Sequence, residues 1–250
     1  MKKISKEFIL NQYRSGIKSY IDFTIEVGLW ESEKYVFKKY LRSDSTVLDL
    51  GCGTGRTTFG LIRLGFDKVI GLDLTPEMIF EAQKLNTIFN VDIDFRIGDA
   101  TKLDFNDKEF DVVIFSFNGI MSIPNPIQRL IAFKEINRVL KDAGLFIFTT
   151  HDRNREEKYF QFWDNERNHW AQGKQRLDLF EFGDIITSSK NESQEIFIHI
   201  PDMNEVKNVL QESNFDLLET FYRSDKFEEP TNVKVKSGEC RFWVGRKNRP

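Results

Sequence analysis

A run of nine residues, 47–55, constrains the fold of this chain more than any other stretch. It reads V-L-D-L-G-C-G-T-G, an apolar run followed by glycines at every second position: Gly51, Gly53 and Gly55. Glycine has no Cβ and tolerates positive φ, so the backbone amides of such a turn can approach a ligand closely. The pattern of residues 57–64 then predicts a helix, whose N-terminus would face the same ligand. A strand, a glycine turn and a helix together predict a nucleotide-cofactor site.

The spacing of the glycines discriminates between classes of nucleotide. The dinucleotide fingerprint G-x-G-x-x-G has its third glycine three positions after the second, and Arg56 occupies that position here. The stretch also does not match G-x-x-x-x-G-K-[ST], because no Lys-Ser or Lys-Thr pair follows the glycines. The spacing therefore disfavours an NAD site and does not support a phosphate-binding loop of the nucleoside-triphosphatase type.

An acid before the glycines completes a family resemblance. Asp49 and the three glycines match the pattern acidic-x-Gly-x-Gly-x-Gly, which resembles the first motif of the class I S-adenosylmethionine (SAM)-dependent methyltransferases. The helix ending in E-I-N-R-V-L-K-D-A-G, and the strand predicted after it at 144–150, resemble the same family. The resemblance implies SAM as the cofactor and S-adenosylhomocysteine as the product. It also implies that the glycine turn, Cys52 included, holds the amino-acid end of SAM.

Two further acids end strand-like segments. Asp73 follows the apolar segment 68–72, about twenty residues beyond the turn, where a carboxylate can accept hydrogen bonds from both hydroxyls of a ribose. Asp99 lies in a Gly-Asp-Ala sequence that resembles the methyltransferase position whose acid meets the adenine amino group. The other residues that we expect to contact the cofactor lie at or near strand ends: Leu74, Met78, Ala100, Phe115 and Phe117.

The order of the segments predicts an α/β fold. Strand and helix patterns alternate over residues 46–150, and 110–117 is an almost unbroken apolar run, typical of a parallel strand buried on both faces. We therefore expect a Rossmann-like, doubly wound, mostly parallel seven-stranded sheet. Around this SAM-binding core the sequence predicts an N-terminal helical lid (1–45), an inserted cap (151–200), and a closing helix with a C-terminal strand hairpin (201–250).

The lid and the cap are the segments expected to cover the ligands. In the resembled family N-terminal helices often reach over the cofactor, and Tyr13, Arg14 or Tyr20 could do so; packing on the sheet edge is the alternative. The cap follows the fifth strand, and ligands of open α/β sheets bind outside the carboxyl ends of the strands. Its predicted hairpin turns at 188–191. Three residues of the cap are candidate substrate contacts: Trp163, His169 and Trp170.

Two residues at strand ends are candidates for catalysis. His151, with Asp152 beside it, could take a proton from a substrate hydroxyl or amine; a solvated histidine at the start of a loop is the alternative. Asn118 is a candidate substrate contact at the end of the fourth strand. Methyl transfer from a sulfonium is an in-line displacement, so the protein must mainly align two substrates and exclude water. No metal is required.

Composition limits the possible partners. The 250 residues carry a net charge of −3, so nothing global predicts nucleic-acid binding. Charged residues interrupt every apolar run, and we therefore expect no signal peptide, no membrane span and a cytoplasmic location. The two cysteines are far apart and form no metal motif. We expect a monomer or a homodimer.

The sequence thus predicts a SAM-dependent methyltransferase that modifies an oxygen or nitrogen of a small-molecule acceptor. Two alternatives stay open. A tRNA- or rRNA-modifying enzyme of the same fold would need several basic residues to converge on one face: Arg153, Arg155, Arg246, Lys247 and Arg249. A SAM-binding protein without catalysis, such as a sensor or an assembly partner, would bind the cofactor and turn over no acceptor.

Overall fold

The computed structural model describes residues 3–188 and 195–249. Its strands are β1 (Val47–Leu50), β2 (Val69–Asp73), β3 (Asp94–Ile97), β4 (Phe110–Phe115), β5 (Leu140–Thr150), β6 (Asp184–Ser188), β7 (Glu195–His199), β8 (Phe215–Tyr222) and β9 (Arg241–Lys247). Its helices are α1 (Lys6–Glu26), α2 (Glu31–Tyr40), α3 (Arg56–Arg63), α4 (Pro76–Phe89), α5 (Pro126–Val139), α6 (Phe160–Ala171), α7 (Met203–Glu212), α8 (Arg223–Lys226) and α9 (Thr231–Lys236).

Seven strands form the main sheet, in the order β3-β2-β1-β4-β5-β9-β8. The first five of these pair in parallel, with Val47 opposite both Val69 and Val112, whereas β9 runs antiparallel to β5 and β8. The predicted doubly wound, mostly parallel seven-stranded sheet is therefore confirmed. The strand order reverses between β1 and β4, and open α/β sheets bind their ligands at such a switch point.

Helices cover both faces of the sheet, which explains the apolar run of β4. Val113 and Phe115 pack in the core with α5 and α7, while Val112 and Ile114 pack in the core with α2 and α3. Successive side chains of a strand point to opposite faces, so a strand that is covered on both faces must be apolar at every central position.

The fifth strand begins earlier than the sequence predicts. Helix α5 ends at Val139, and Leu140 already pairs with Phe110 of β4. The pairing then shifts register, and Ala143 takes a positive φ of 62°. Residues 141–144, which the prediction placed at the end of the helix, therefore form an irregular, bulge-like start of β5.

Helix α1 connects the core to the cap. Its N-terminus is capped by the Ser5 hydroxyl, which accepts a hydrogen bond from the Phe8 amide. The Gln12 side chain accepts a hydrogen bond of 2.9 Å from the Phe197 amide in β7, and Ile9 packs in the same apolar cluster as Phe197. Strands β6 and β7 form the predicted cap hairpin; its predicted turn, 188–191, lies outside the described residues after Ser188. Within the described ranges, no helix is long and apolar enough to cross a bilayer.

Candidate active site

The glycine turn joins β1 to α3 through three residues with positive φ: Gly51 (66°), Gly53 (55°) and Gly55 (92°). A Cβ on Gly51 would lie 2.5 Å from the Phe115 ring, so the position lacks room for a side chain. The Gly53 amide donates a hydrogen bond of 2.8 Å to Asp73 Oδ2 at the end of β2. The turn is thereby held against the neighbouring strand.

Arg56, at the position of the third dinucleotide glycine, has a structural role. Its guanidinium donates to both carboxylate oxygens of Glu33 at 2.6 Å and to the Gly28 carbonyl at 2.8 Å. It also lies over the Trp30 and Phe23 rings, 5.0 and 5.3 Å from their centroids. Arg56 therefore ties the start of α3 to α2.

A cavity of about 360 Å³, here called the cofactor cavity, lies at the carboxyl ends of β1, β2 and β4. Its volume is within the range of small-molecule sites. Nine of the residues predicted to contact the cofactor line it: Gly51, Gly53, Asp73, Leu74, Met78, Asp99, Ala100, Phe115 and Phe117. The other three do not line it: Asp49, Cys52 and Gly55.

Two of the three predicted acids face the cofactor cavity. Asp73 accepts the hydrogen bond from the glycine turn and another of 2.8 Å from the Thr75 amide, and burial raises its pKa. Asp99 accepts from Thr101 and pairs with Lys6 at 2.7 Å. Burial opposes ionisation of Asp99, but the bonds from Lys6 and Thr101 outweigh it and hold the pKa below its usual value. Both carboxyl groups can therefore accept from nucleoside hydroxyl or amino groups.

The third acid, Asp49, is buried away from the cofactor cavity. One carboxyl oxygen accepts a hydrogen bond of 2.6 Å from the Thr58 hydroxyl, and the other has no hydrogen-bond partner among the described residues. Burial raises the pKa of Asp49 to about 7. Its contact with Thr58 joins β1 to α3 beneath the glycine turn.

Helix α1 supplies two aromatic walls of the cofactor cavity. Tyr13 and Tyr20 line it with ring centroids 5.9 Å apart, whereas Arg14 pairs with two surface glutamates. The Tyr13 and Ser122 hydroxyls are 2.5 Å apart, and burial raises the pKa of Tyr13 to about 12. Other residues that line this cavity were not predicted. Six of them adjoin predicted residues near strand ends, which was the available signal: Leu50, Thr75, Gly98, Thr101, Ser116 and Gly119. The others come from the N-terminal segment, the stretch after Gly119 and the cap, and had no such signal: Ile4, Lys6, Ile9, Ser122, Ile123, Pro124, Asn125, Gln128 and Phe180.

A second cavity, of about 430 Å³, lies under the cap beside the end of β5. His151 lines it, with Nδ1 2.6 Å from the Glu239 carbonyl oxygen and Nε2 3.5 Å from the Asn118 side-chain nitrogen. A carbonyl oxygen can only accept, so we place the proton on Nδ1 and a lone pair on Nε2. Burial lowers the pKa of His151 below its ordinary value, which keeps the ring neutral at pH 7.

The two predicted catalytic residues lie between the two cavities. Asn118 is flanked by Phe117 and Gly119, which line the cofactor cavity, and its side chain contacts His151, which lines the second. The Asn118 backbone amide donates a hydrogen bond of 2.9 Å to the Thr149 hydroxyl, which holds this loop against β5. The fold thus brings together two residues that are 33 positions apart in the chain.

Of the three predicted substrate contacts in the cap, one lines a cavity. Trp163 is 5% exposed, lines the second cavity and packs edge-to-face against Phe162 and Phe182. Trp170 packs against the apolar cluster of α1 and β7, and His169 is half exposed beside a glutamate of the same helix. Neither of these two lines the cofactor cavity or the second cavity. Their substrate roles stay predictions.

The described part of the chain contains one group of side chains with metal-binding donor types: Glu181, Asp184 and His199. Arg129 contacts Glu181, and the His199 ring lies within 2.8 Å of Asp184. Burial lowers the pKa of Arg129 to about 10, so the guanidinium stays charged at pH 7. Because Arg129 already supplies a positive charge to these carboxylates, the group forms an ion-pair network between α5 and the cap.

Comparison with known proteins identifies the family. Residues 41–214 match a family model described as a methyltransferase domain. The chain is 30% identical over 209 residues to a demethylmenaquinone methyltransferase of Staphylococcus saprophyticus, covering 79% of this chain and 75% of that protein. It is 28% identical over 224 residues to one of Staphylococcus aureus, covering 85% and 87%. This protein therefore belongs to the class I SAM-dependent methyltransferase family.

A solved structure agrees with this assignment at the level of the fold. A SAM-dependent methyltransferase of Methanosarcina mazei superposes with a TM-score of 0.70 at 19% identity, covering 90% of this chain and 100% of that chain. The residues of the cofactor cavity also fit SAM chemically. Carboxyl groups at Asp73 and Asp99 suit its hydroxyl and amino groups, and the apolar side chains of Leu74 and Met78 suit a flat base. The predicted SAM-dependent methyltransferase activity and its cofactor are thus confirmed.

Proposed function

We propose that this methyltransferase modifies an oxygen or nitrogen of a small-molecule acceptor by in-line displacement. The observation that carries the proposal is the His151–Asn118 pair, which lies between the cofactor cavity and a second, largely apolar cavity. SAM supplies a methyl group on a positively charged sulfur, which leaves as a neutral thioether. The protein must therefore align acceptor and cofactor, exclude water and remove the acceptor's proton.

The proposed cofactor contacts follow from the lining of the cofactor cavity. Asp73 binds the ribose hydroxyls, and Asp99 with Ala100 binds the adenine edge. Gly51 and Gly53 contact the amino-acid end of SAM. Leu74 and Met78 pack on the adenine base, and Phe115 and Phe117 line the side that carries the methyl group. In this arrangement Asp49 acts through the turn, by holding β1 against α3.

The proposed general base is His151. Its Nε2 accepts the proton of an acceptor hydroxyl or amine, while the bond from Nδ1 to the Glu239 carbonyl keeps the ring in the required tautomer. Asn118 orients the same group of the acceptor. Its side chain contacts His151, and its chain neighbours Phe117 and Gly119 line the cofactor cavity. Because burial lowers the pKa of His151, the base stays active down to pH values below about 6.5.

The named relatives and the pairing of basic residues both support a small-molecule acceptor rather than RNA. Two relatives are named as methyltransferases of demethylmenaquinone, a small molecule. Three of the five basic residues that an RNA-binding face would need are engaged within the protein, and a fourth, Arg246, lies 4.0 Å from Asp216. Arg153 pairs with Asp202 and Glu205, and the Lys247 ammonium donates to two backbone carbonyls. Arg155 likewise pairs with an aspartate of α8.

The test is incubation of the protein with methyl-labelled SAM and either a panel of small hydroxylated and amino compounds or total RNA. We expect label in a small molecule, and we expect His151→Gln to lower kcat about a hundredfold or more without changing SAM affinity. For the wild-type protein, kcat should be flat above about pH 6.5 and fall below it. Labelled RNA would overturn the proposal, as would tight SAM binding without any labelled product.

A further inference from the structure

We propose that the second cavity is the acceptor site and that it takes a flat, uncharged aromatic compound bearing a hydroxyl group. The inference rests on the proposed function, because it assigns a place and a chemical class to the acceptor. The cavity is separate from the cofactor cavity and has the volume of a small-molecule site. It is built from the start and the middle of the cap and from the C-terminal hairpin.

The walls of the second cavity select for flat rings. Four aromatic side chains line it: Tyr159, Phe162, Trp163 and Tyr222. The Tyr222 ring is already covered by the guanidinium groups of Arg155 and Arg241, 4.1 and 4.5 Å from its centroid, so the other three are the walls that a ligand can contact. Four isoleucines from the cap hairpin and the residue after it complete the apolar surface: Ile185, Ile186, Ile198 and Ile200. Aromatic pairs gain about 0.5–1.5 kcal/mol beyond the burial of their area, so these walls bind an aromatic ring more tightly than a saturated ring of equal size.

The charged side chains of the second cavity have partners within the protein. Asp152 accepts from the Tyr222 hydroxyl and pairs with Arg241, and Arg155 pairs with Asp225. Two other lining charges are engaged in ion pairs, Arg153 with residues at the start of α7 and Glu156 with a neighbouring lysine. The fifth, Glu239, accepts hydrogen bonds from two backbone amides, those of Ser224 and Cys240. A charged ligand would have to break one of these ion pairs and lose its own hydration. The cavity therefore favours an uncharged ligand.

His151 offers a hydrogen-bond acceptor that can fix the orientation of the ligand. His151 Nε2 carries a lone pair, and its contact with Asn118 is long, at 3.5 Å, so a ligand hydroxyl can replace it. The hydroxyl then lies beside Asn118, whose chain neighbours Phe117 and Gly119 line the cofactor cavity. A ring held by the aromatic walls thus presents its oxygen at the boundary between the two cavities.

The experiment is a calorimetric titration with 1-naphthol, performed in the presence of saturating S-adenosylhomocysteine so that no reaction occurs. Naphthalene tests the hydroxyl, and decahydro-1-naphthol tests the flat ring. We expect 1-naphthol to bind about three- to tenfold more tightly than either analogue. Equal affinity for all three compounds would overturn the proposed ligand class.

Two phenylalanines of α6 form a matched pair for locating the site. Phe162 lines the second cavity and is 42% exposed, whereas Phe160 is 44% exposed and does not line it. Phe162→Ala should weaken 1-naphthol binding several-fold, and Phe160→Ala should leave it unchanged. Ile185→Trp, on the face of the hairpin that Ile198 shares, places a larger side chain in the cavity and should abolish it. Naphthol binding that none of these substitutions alters would contradict the assignment of this cavity.

The same titrations separate this inference from the proposed function. Each variant is also titrated with S-adenosylhomocysteine, whose affinity should not change, because Phe162 and Ile185 do not line the cofactor cavity. Naphthol binding in the second cavity without any methylated product would overturn the proposed function alone. Methylated small molecules whose formation survives Ile185→Trp would overturn the acceptor site alone.

Discussion

The cofactor cavity and the second cavity are built on different principles. The first is lined mainly by residues that follow the ends of parallel strands, and each strand end is marked in the sequence by an acid, a glycine or an aromatic residue. The second is assembled from the end of β5, α6, the cap hairpin and the C-terminal hairpin, which no short motif connects. The topology of the sheet therefore determines the cofactor side, while long-range packing determines the acceptor side.

The largest expected difference between the cofactor side and the acceptor side is the stability lost when an ion pair is broken. Glu33→Gln leaves the buried Arg56 guanidinium without its counter-charge and should lower the free energy of unfolding by about 3–5 kcal/mol. Asp225→Asn breaks the half-exposed pair with Arg155 beside the second cavity and should cost less than about 1 kcal/mol. Urea denaturation of both variants measures the two values, and similar losses would contradict the comparison.

The pH dependence of stability should have opposite signs on the two sides. Burial raises the pKa of Asp49 to about 7 from an unfolded value of about 3.9, so its contribution to stability is lost as the pH rises through this interval. Asp49→Asn removes this loss, and the difference between the variant and the wild-type protein should change by about 2–3 kcal/mol between pH 5 and pH 7.

His151 provides the opposite case. Burial lowers its folded pKa below about 6.5, so the stability that the neutral ring contributes is complete above that pH and is lost as the pH falls below it. His151→Gln should therefore gain on the wild-type protein as the pH is lowered. Denaturation curves at several pH values check both signs, and parallel curves for either variant and the wild type would refute that assignment.

Substituting one glycine at each cavity tests how tightly the two cavities are packed. A Cβ on Gly119 would lie 2.2 Å from the Phe115 ring, and this ring also lies against Gly51, so it would have to shift into the cofactor cavity that it lines. Gly119→Ala should therefore destabilise the protein by about 1–3 kcal/mol and weaken SAM binding. A Cβ on Gly238, at the second cavity, would make an ordinary contact of 3.5 Å with His151, and Gly238→Ala should stay within about 0.5 kcal/mol. Thermal unfolding distinguishes the two.

The smallest expected effect concerns the two cap tryptophans. Trp163→Phe removes part of the wall of the second cavity and should weaken 1-naphthol binding about threefold, whereas Trp170→Phe should change it less than twofold. Neither should alter the affinity for S-adenosylhomocysteine. If both substitutions weakened 1-naphthol binding equally, the assignment of Trp163, and not Trp170, to the acceptor site would be wrong.

Local signals made the core predictable from the sequence. The apolar run of β4 indicated burial on both faces, and the glycine spacing with Asp49 and Asp73 indicated a SAM site on the first two strands. The bulge at Ala143 was not predictable, because it depends on how Leu140 pairs with β4. Local propensity favours continuing α5 into these residues, and the tertiary pairing overrides it.

Contacts between distant parts of the chain could not be predicted. Glu229 accepts hydrogen bonds from the Glu31 and Ser32 amides at the start of α2, across almost 200 residues. The sequence likewise could not show which of Trp163 and Trp170 faces a cavity, because both lie on α6 among other aromatic residues. Neither feature has a local signal in the sequence. The Glu229 contact depends on the placement of the C-terminal loop, and the exposure of the two tryptophans depends on the placement of α6.

The most direct test of the account is a calorimetric titration with SAM, S-adenosylhomocysteine and NAD, using the wild-type protein, Asp73→Ala and Asp67→Ala. Asp73 lines the cofactor cavity, whereas Asp67 is an exposed acid before the opposite end of the same strand. We expect both adenosyl ligands to bind and NAD not to bind. The loss of two charge-assisted hydrogen bonds in Asp73→Ala should weaken binding about a hundredfold, with Asp67→Ala unchanged. Binding of NAD, or adenosyl binding that survives Asp73→Ala intact, would contradict the assignment of the cofactor cavity.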